Sequence, residues 1–132
     1  MLFDFKLSTP DEGLVDITNE VNAAVRESGV LEGICVIYCP HTTAAITINE
    51  NADPDVKRDF LLGLDTSFPD LNDFRHAEGN SDAHIKSSTV GASETVIISG
   101  GKPLLGTWQN IYFCEFDGPR TNRRFYVKII GG

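Results

Sequence analysis

Three histidines fall in the two most polar, least alternating stretches of this 132-residue chain. His41 opens His41-Thr42-Thr43, and the same segment runs on to Asn49-Glu50-Asn51-Ala52-Asp53. His76 and His84 bracket Ala77-Glu78-Gly79-Asn80-Ser81-Asp82-Ala83. Imidazole moves protons near neutral pH and ligates zinc and similar ions, and a neighbouring carboxylate such as Glu78 or Asp82 can orient it. If Gly79 lets the chain fold back, His76 and His84 converge. With His41 they would give three protein ligands and one open position, the usual catalytic zinc arrangement. No helical H-E-x-x-H spacing is present, so the metal reading rests on composition. Each histidine taken singly also has an ordinary role as a hydrogen-bonded structural or surface residue.

Other residues invite chemistry with less specificity. Glu115 lies in Ile111-Tyr112-Phe113-Cys114-Glu115-Phe116, too apolar a strand for a carboxylate without a partner. It either sits at an exposed strand end, pairs with Arg120, Arg123 or Arg124, or serves as an acid or base. Trp108-Gln109 offers an aromatic plane and an amide for a flat heterocycle, with core packing the default for the indole. Asn49 to Asp53 can line a site at a strand end or simply make a turn and a helix cap. Ser81, Asp82 and His84 lack the second glycine of a hydrolase nucleophile elbow. Gly100-Gly101-Lys102 lacks the first glycine of a P-loop and is followed by Pro103, which reads as a hairpin turn. Cys35, Cys39 and Cys114 read as buried thiols in a reducing compartment. The alternative, Cys35 and Cys39 joining His41 on zinc, lacks a second paired-cysteine segment.

The whole-chain balance sets limits. Eleven basic residues against nineteen acidic ones give a net charge of −8, which argues against general nucleic-acid binding but leaves room for a local basic pocket. No apolar run approaches the roughly 20 residues that cross a bilayer, and Met1 to Lys6 do not resemble a signal peptide. A cytoplasmic protein is expected.

The elements that must position these groups make one domain over residues 1–132. Leu2, Phe3, Phe5 and Leu7 suggest an opening strand. Ile17, Val21, Ala24 and Val25 are spaced as a helix ending near Gly29. Ile34 to Cys39 is a strand stopped by Pro40. Between Thr42 and Asn49, Ala44, Ile46 and Ile48 share one face, while Thr43, Ala45, Thr47 and Asn49 share the other with His41. Asp53-Pro54 starts a second helix with stripe Val56, Phe60, Leu61 and Leu64. Asp65 to Ser81 reads as an ordered, exposed excursion anchored by Phe68, Leu71 and Phe74. Strands at 95–99, 111–116 and 125–130 form a meander turned at Gly100-Gly101-Lys102-Pro103 and Asp117-Gly118-Pro119. Strands outnumber helices without regular interleaving, which favours α+β with mostly antiparallel sheets and two main helices.

Several blocks together resemble the YjbQ family, the secondary thiamine-phosphate synthases. They are His41-Thr42-Thr43-Ala44-Ala45-Ile46-Thr47-Ile48-Asn49-Glu50-Asn51-Ala52-Asp53-Pro54, Ala83-His84-Ile85-Lys86-Ser87-Ser88, Leu105-Gly106-Thr107-Trp108-Gln109 and Ile111-Tyr112-Phe113-Cys114-Glu115. The resemblance spans essentially the whole chain and extends less firmly to the arginines after Glu115. It implies a compact α+β domain, assembly as a homotrimer, and a pocket lined by the histidine segments that lies near a subunit boundary and admits a metal.

On that basis the expected activity joins a pyrimidine-methyl diphosphate to a thiazole phosphate and releases diphosphate. Charge neutralisation and alignment of two rings are what such a reaction needs. His41, His76, His84 and Glu115 are the catalytic candidates, and the three histidines are candidates for a divalent ion, Zn or Mg. Thr43, Asn49, Glu50, Asn51, Asp82, Trp108, Gln109, Arg120 and Arg124 are expected to contact a small phosphorylated substrate, the arginines on phosphate and Trp108 on a ring. Two other readings stand beside this one. One is a metal-dependent hydrolase or lyase in which the ion activates water. The other is a non-catalytic ligand-binding or scaffold trimer.

Overall fold

The computed structural model describes residues 1–132 as eight strands and three helices. In chain order they are β1 (Leu2–Thr9), β2 (Gly13–Asp16), α1 (Thr18–Ser28), β3 (Gly33–Tyr38), β4 (Ala44–Glu50), α2 (Pro54–Ser67), α3 (Ser81–Val90), β5 (Ser93–Ser99), β6 (Lys102–Pro103), β7 (Gln109–Glu115) and β8 (Arg120–Gly131). Five strands form one sheet in the order β1-β8-β3-β5-β6, and three form a second in the order β2-β7-β4. Every pairing is antiparallel, as the α+β reading expects, but the expected meander over 95–130 does not form: β7 lies between β2 and β4 in the second sheet, while β5 and β8 flank β3 in the first.

Strand alternation explains the layers. On the large sheet Cys35, Ile37, Val96, Ile98, Phe125, Val127 and Ile129 point inward; on the small sheet Ala44, Ile46, Ile111 and Phe113 point back at them. Helix α1 adds Ile17, Val21, Ala24 and Val25 to this core, and it ends at Gly29, whose φ of +71° suits a residue without Cβ. The other face of the small sheet carries Ala45, Cys114 and Phe116. Ala83 of α3 and half-buried Phe60, Leu61 and Leu64 of α2 cover it. Asp53 caps α2 by accepting a hydrogen bond from the Asp55 amide at 2.9 Å, with Pro54 in the first turn. No helix is long and apolar enough to cross a membrane.

Three elements are additional to those anticipated: β2, α3 and the two-residue β6, which occupies the second half of the expected turn over 100–103 and pairs with the end of β5. Strand β2 is only four residues long. Helix α3 has no apolar stripe, because the side it buries carries Lys86 and Ser87 beside Ala83. Lys86 is buried yet paired with Asp65 of α2 and, at 3.3 Å, with Asp82. Ser87 donates to the Ala44 carbonyl at 2.6 Å. Polar groups thus hold this helix, Ser87 to the sheet and Lys86 to α2, and periodicity does not register them.

Candidate functional site

Two charged residues occupy inward slots that alternation otherwise fills with hydrocarbon. Glu115 follows Ile111 and Phe113 on β7, and Arg123 precedes Phe125 and Val127 on β8. Their pairing bridges the two sheets at one end of the core. Arg123 donates from Nε to Glu115 Oε1 at 2.7 Å and from Nη2 to Oε2 at 2.6 Å. Thr9 donates to the same carboxylate at 2.6 Å, and so does the Asp117 amide at 2.9 Å. Burial pushes the Glu115 pKa up, but these donors prevail and hold it below the ordinary carboxylate value. Glu115 is therefore an ionised, fully occupied anchor facing the interior rather than the cleft.

What it anchors does face the cleft. Arg123 Nη2 also donates to Thr43 Oγ1 at 2.8 Å, while Nη1 takes no part in these bonds. The residue lines a concave space of about 350 Å³ together with His41, His76, Asn80, His84 and Arg120. Arg120 is fixed by Asp117, through Nε to the carbonyl at 2.8 Å and Nη2 to Oδ2 at 2.9 Å. Asn80 donates to the same Asp117 carboxylate at 2.7 Å, leaving its own Oδ1 buried without a partner. The Asp117-Gly118 turn needs glycine, since a Cβ on Gly118 would lie 1.8 Å from the Pro10 carbonyl oxygen.

The three histidines do meet at this cleft, in unequal ways. His76 and His84 stand edge to face with ring centroids 5.4 Å apart, and His76 Nε2 is 3.8 Å from Glu78 Oε1. His41 turns its Nε2 to the Arg124 backbone N–H, accepting at 2.9 Å, and its ring meets Phe113 edge-on. Burial first, and then the Arg123 charge, lower its pKa, against an opposing pull from Glu115. An accepting Nε2 puts the proton of the neutral ring on Nδ1. No group of three or more His, Cys, Asp or Glu side chains in the chain is arranged to hold a metal ion. The expected three-histidine ligand set is not assembled within one chain, because the Nε2 of His41 is already engaged. Cys35, Cys39 and Cys114 are free and buried, and burial pushes the thiols of Cys35 and Cys39 up to about 11. Each of those two is held as the neutral thiol at pH 7 by its apolar surroundings.

The remaining expected contacts divide by position. Thr43 holds Arg123 from within the protein. Arg124 does not reach the cleft: alternation sends it to the outer face of the large sheet, where it bonds Asp4 at 2.6 Å. Arg123 takes the place assigned to it, and the inward parity of Phe125, Val127 and Ile129 is the sequence signal that finds it. Asn49, Glu50, Asn51, Trp108 and Gln109 lie at the far end of β4 and β7. Ala44 pairs with Glu115, whereas Glu50 pairs with Gln109, six residues on and so about 20 Å away. There Tyr112 and Lys57 donate to Asn51, at 2.8 and 2.9 Å, and Trp108 is 62% exposed. Asp82 pairs with Lys86 on the opposite side of α3 from His84.

The model of the family described as UPF0047 protein YjbQ-like matches residues 3–132. This chain belongs to the YjbQ family. A UPF0047 protein of Methanocaldococcus jannaschii is 62% identical over 132 residues, covering 99% of this chain and 95% of that one. The UPF0047 protein YugU of Bacillus subtilis is 58% identical over 125 residues, with 94% of each chain covered. Among solved structures, a YjbQ/UPF0047 protein of Clostridium acetobutylicum is 58% identical, with a TM-score of 0.91 over 98% of this chain and 99% of that one. A YbjQ-like protein of unknown function from Sulfolobus solfataricus, 35% identical, superposes with a TM-score of 0.95 over 100% of this chain and 97% of that one. The YjbQ fold thus places two arginines and three imidazoles around one cleft of an otherwise acidic protein. Its chemical capacity is to neutralise an anionic group and to move a proton beside it.

Proposed function

We propose that this cleft is an active site for a small phosphorylated substrate, with transfer of the thiamine-phosphate synthase type as its reaction. The observation that carries the reading is Arg123. It is a guanidinium with a 7% exposed side chain that lines the cleft, locked by Glu115 and Thr43 through Nε and Nη2, with Nη1 outside those bonds. A fork held this firmly suits phosphate oxygens, and its fixed position favours charge that develops during a reaction.

The reaction class itself comes from the family resemblance. In it, the C–O bond between the pyrimidine methylene and the diphosphate breaks, and its electron pair leaves with the diphosphate. The thiazole ring nitrogen supplies the pair for the new C–N bond, so no proton has to leave that nitrogen. Arg123 and Arg120 take up the charge growing on the leaving group, and His84 or His76, when protonated, donates a proton to it. The unpartnered Asn80 Oδ1 is suited to an N–H of the substrate. A divalent ion, Zn or Mg, would find His76 and His84 as side-chain donors and would need its other ligands from substrate, water or a second copy. No step is routed through it.

A second copy also has a place in this reading. The outer face of the large sheet carries Ile34, Tyr38, Ile97 and Ile130, all exposed, which supports self-association of the kind the resemblance implies, a homotrimer. Three free buried thiols fit a reducing, cytoplasmic setting. The test is direct. Purified protein, incubated with both substrates and Mg²⁺, should form thiamine phosphate, and Arg123→Met should abolish turnover. No product from wild type would remove the reaction. Product formation unchanged in Arg123→Met would remove the site.

A further inference from the structure

A second cavity lies away from the histidine cleft, between the end of α1 and the β5–β6 turn. It measures about 520 Å³ and is lined by Asn22 and Arg26 of α1, by Gly100 and Gly101, and by Lys102, Pro103 and Leu105. Asn22 and Arg26 stand one helical turn apart and so project from the same face. The lining holds two cations and no carboxylate, in a chain whose net charge is −8. Neither Arg26 nor Lys102 enters an ion pair. Unpaired charges of one sign across a concave space raise the local concentration of counter-ions.

The turn does not work as a phosphate-cradling loop. Gly100 and Gly101 take φ values of +60° and +79°, but their amides are already used. Gly100 N–H donates to Glu32 Oε1 at 3.1 Å, and Gly101 N–H to the Leu31 carbonyl at 3.0 Å. Recognition therefore falls to the side chains. Arg26 offers a planar fork and Lys102 a compact charge, a pair matched to a dianion. Pro103 and Leu105 give the remainder of the wall an apolar surface.

We infer that this cavity is a second binding site, independent of the histidine cleft, for a small organic phosphate monoester whose short apolar body rests on Pro103 and Leu105. The carboxylate of Glu32, held by Gly100, keeps the neighbourhood from being uniformly positive and so limits the site to modest affinity.

Titration of ¹⁵N-labelled protein with phenyl phosphate tests this. Saturable shifts are expected at the amides of residues 22–26, 100–102, 104 and 105, weakening as salt is raised. The double variant R26Q/K102Q should bind there at least tenfold more weakly with its melting temperature unchanged. Inorganic phosphate should shift the same amides at higher concentration, because it lacks the apolar body. Shifts confined to His41 and residues 120–123, shifts that do not saturate, or binding that survives R26Q/K102Q would overturn the inference. Association only with vesicles carrying phosphatidic acid, and none with phenyl phosphate, would overturn it as well.

Discussion

Arg123 of the large sheet and Glu115 of the small one clasp each other through two charge-assisted hydrogen bonds, at 2.7 and 2.6 Å, where the two sheets meet the cleft. Both residues are buried, Glu115 completely. Breaking a buried pair from one side leaves an uncompensated charge and typically costs about 3–5 kcal/mol. Urea unfolding of Glu115→Gln should show a loss of that order. Replacing both partners by hydrocarbon, as in E115L/R123M, should recover most of it, while the phosphate binding proposed for the cleft should stay lost. A double variant that remains as unstable as the single one would mean the pair is not what joins the sheets.

The same pair fixes how stability responds to acid. Glu115 has a folded pKa below its ordinary 4.5. A carboxylate depressed in this way contributes stability that is fully present above the unfolded value and is lost as pH falls through the folded one. Wild-type stability should therefore begin to lose this contribution as pH falls below about 4.5, and E115L/R123M should show a shallower acid limb. Parallel acid limbs in the two proteins would contradict the assignment.

Much of this could be read from residue order. The helical spacing of Ile17, Val21, Ala24 and Val25, the Asp53-Pro54 start and the alternating strands appear where they were expected, because each rests on apolar burial or a local cap. The residues offered Arg123 only as one of three partners for Glu115, and the resemblance led to Arg120 and Arg124 for phosphate, although the large-sheet parity contained Arg123. Helix α3 was hidden because its buried side is held by an ammonium and a hydroxyl. The polar group Asn49–Asn51 was legible as a cluster but not by location. Only the pairing of Glu50 with Gln109 puts it at the far end of β4 from His41.

His41 should behave differently from an exposed histidine. Its Nε2 accepts the Arg124 amide, and burial together with Arg123 lowers its pKa below 6.5. Long-range ¹H–¹⁵N spectra at pH 7 should show a neutral ring protonated at Nδ1. The sign follows from a depressed value: the bond's stabilisation is present above the unfolded pKa and is lost as pH falls through the folded one. A His41 midpoint at or above 6.5 would sink this prediction.

Lys86 joins three elements by charge. It bonds Asp65 of α2 and Asp82 of its own helix, and Glu12 of the β1–β2 turn adds a further attraction. Glu12 is raised above 4.5, by burial first and then by Asp65. A raised carboxyl contributes stability that is present below the unfolded pKa and is lost as pH rises through the folded one. Glu12→Gln should thus stabilise the protein at pH 7 relative to wild type, and the difference should vanish near pH 4. Lys86→Met removes the only ammonium and should cost about 1–3 kcal/mol through carboxylates left without a donor. Hydrogen exchange should then quicken along α2, which has no fully buried residue of its own. Equal exchange in the two proteins would show that Lys86 does not hold that helix.

The outer face of the large sheet supplies the last test. Ile34 pairs with Ile97 on one side and Ile130 on the other, so three isoleucines stand abreast across β5, β3 and β8. Two residues along, Val36 pairs with Lys128, and beyond it Tyr38 pairs with Tyr126. Ile97 is 57% exposed and Tyr38 and Ile130 are 47% exposed, so two rows of apolar surface, with Val36 and Lys128 between them, form a stripe that no element of the chain covers. A stripe of this kind is ordinarily closed by a partner surface. Ile34→Asp places a charge at the centre of the row, yet its side chain points away from the core and the fold should persist. In the proposed trimer, desolvating that carboxylate in each copy would oppose association. Light scattering should report three times the 14.5 kDa chain mass for wild type and a single chain for Ile34→Asp, with near-identical circular dichroism. Wild type eluting at the mass of one chain, or Ile34→Asp retaining the larger assembly, would show that this face is not where copies meet.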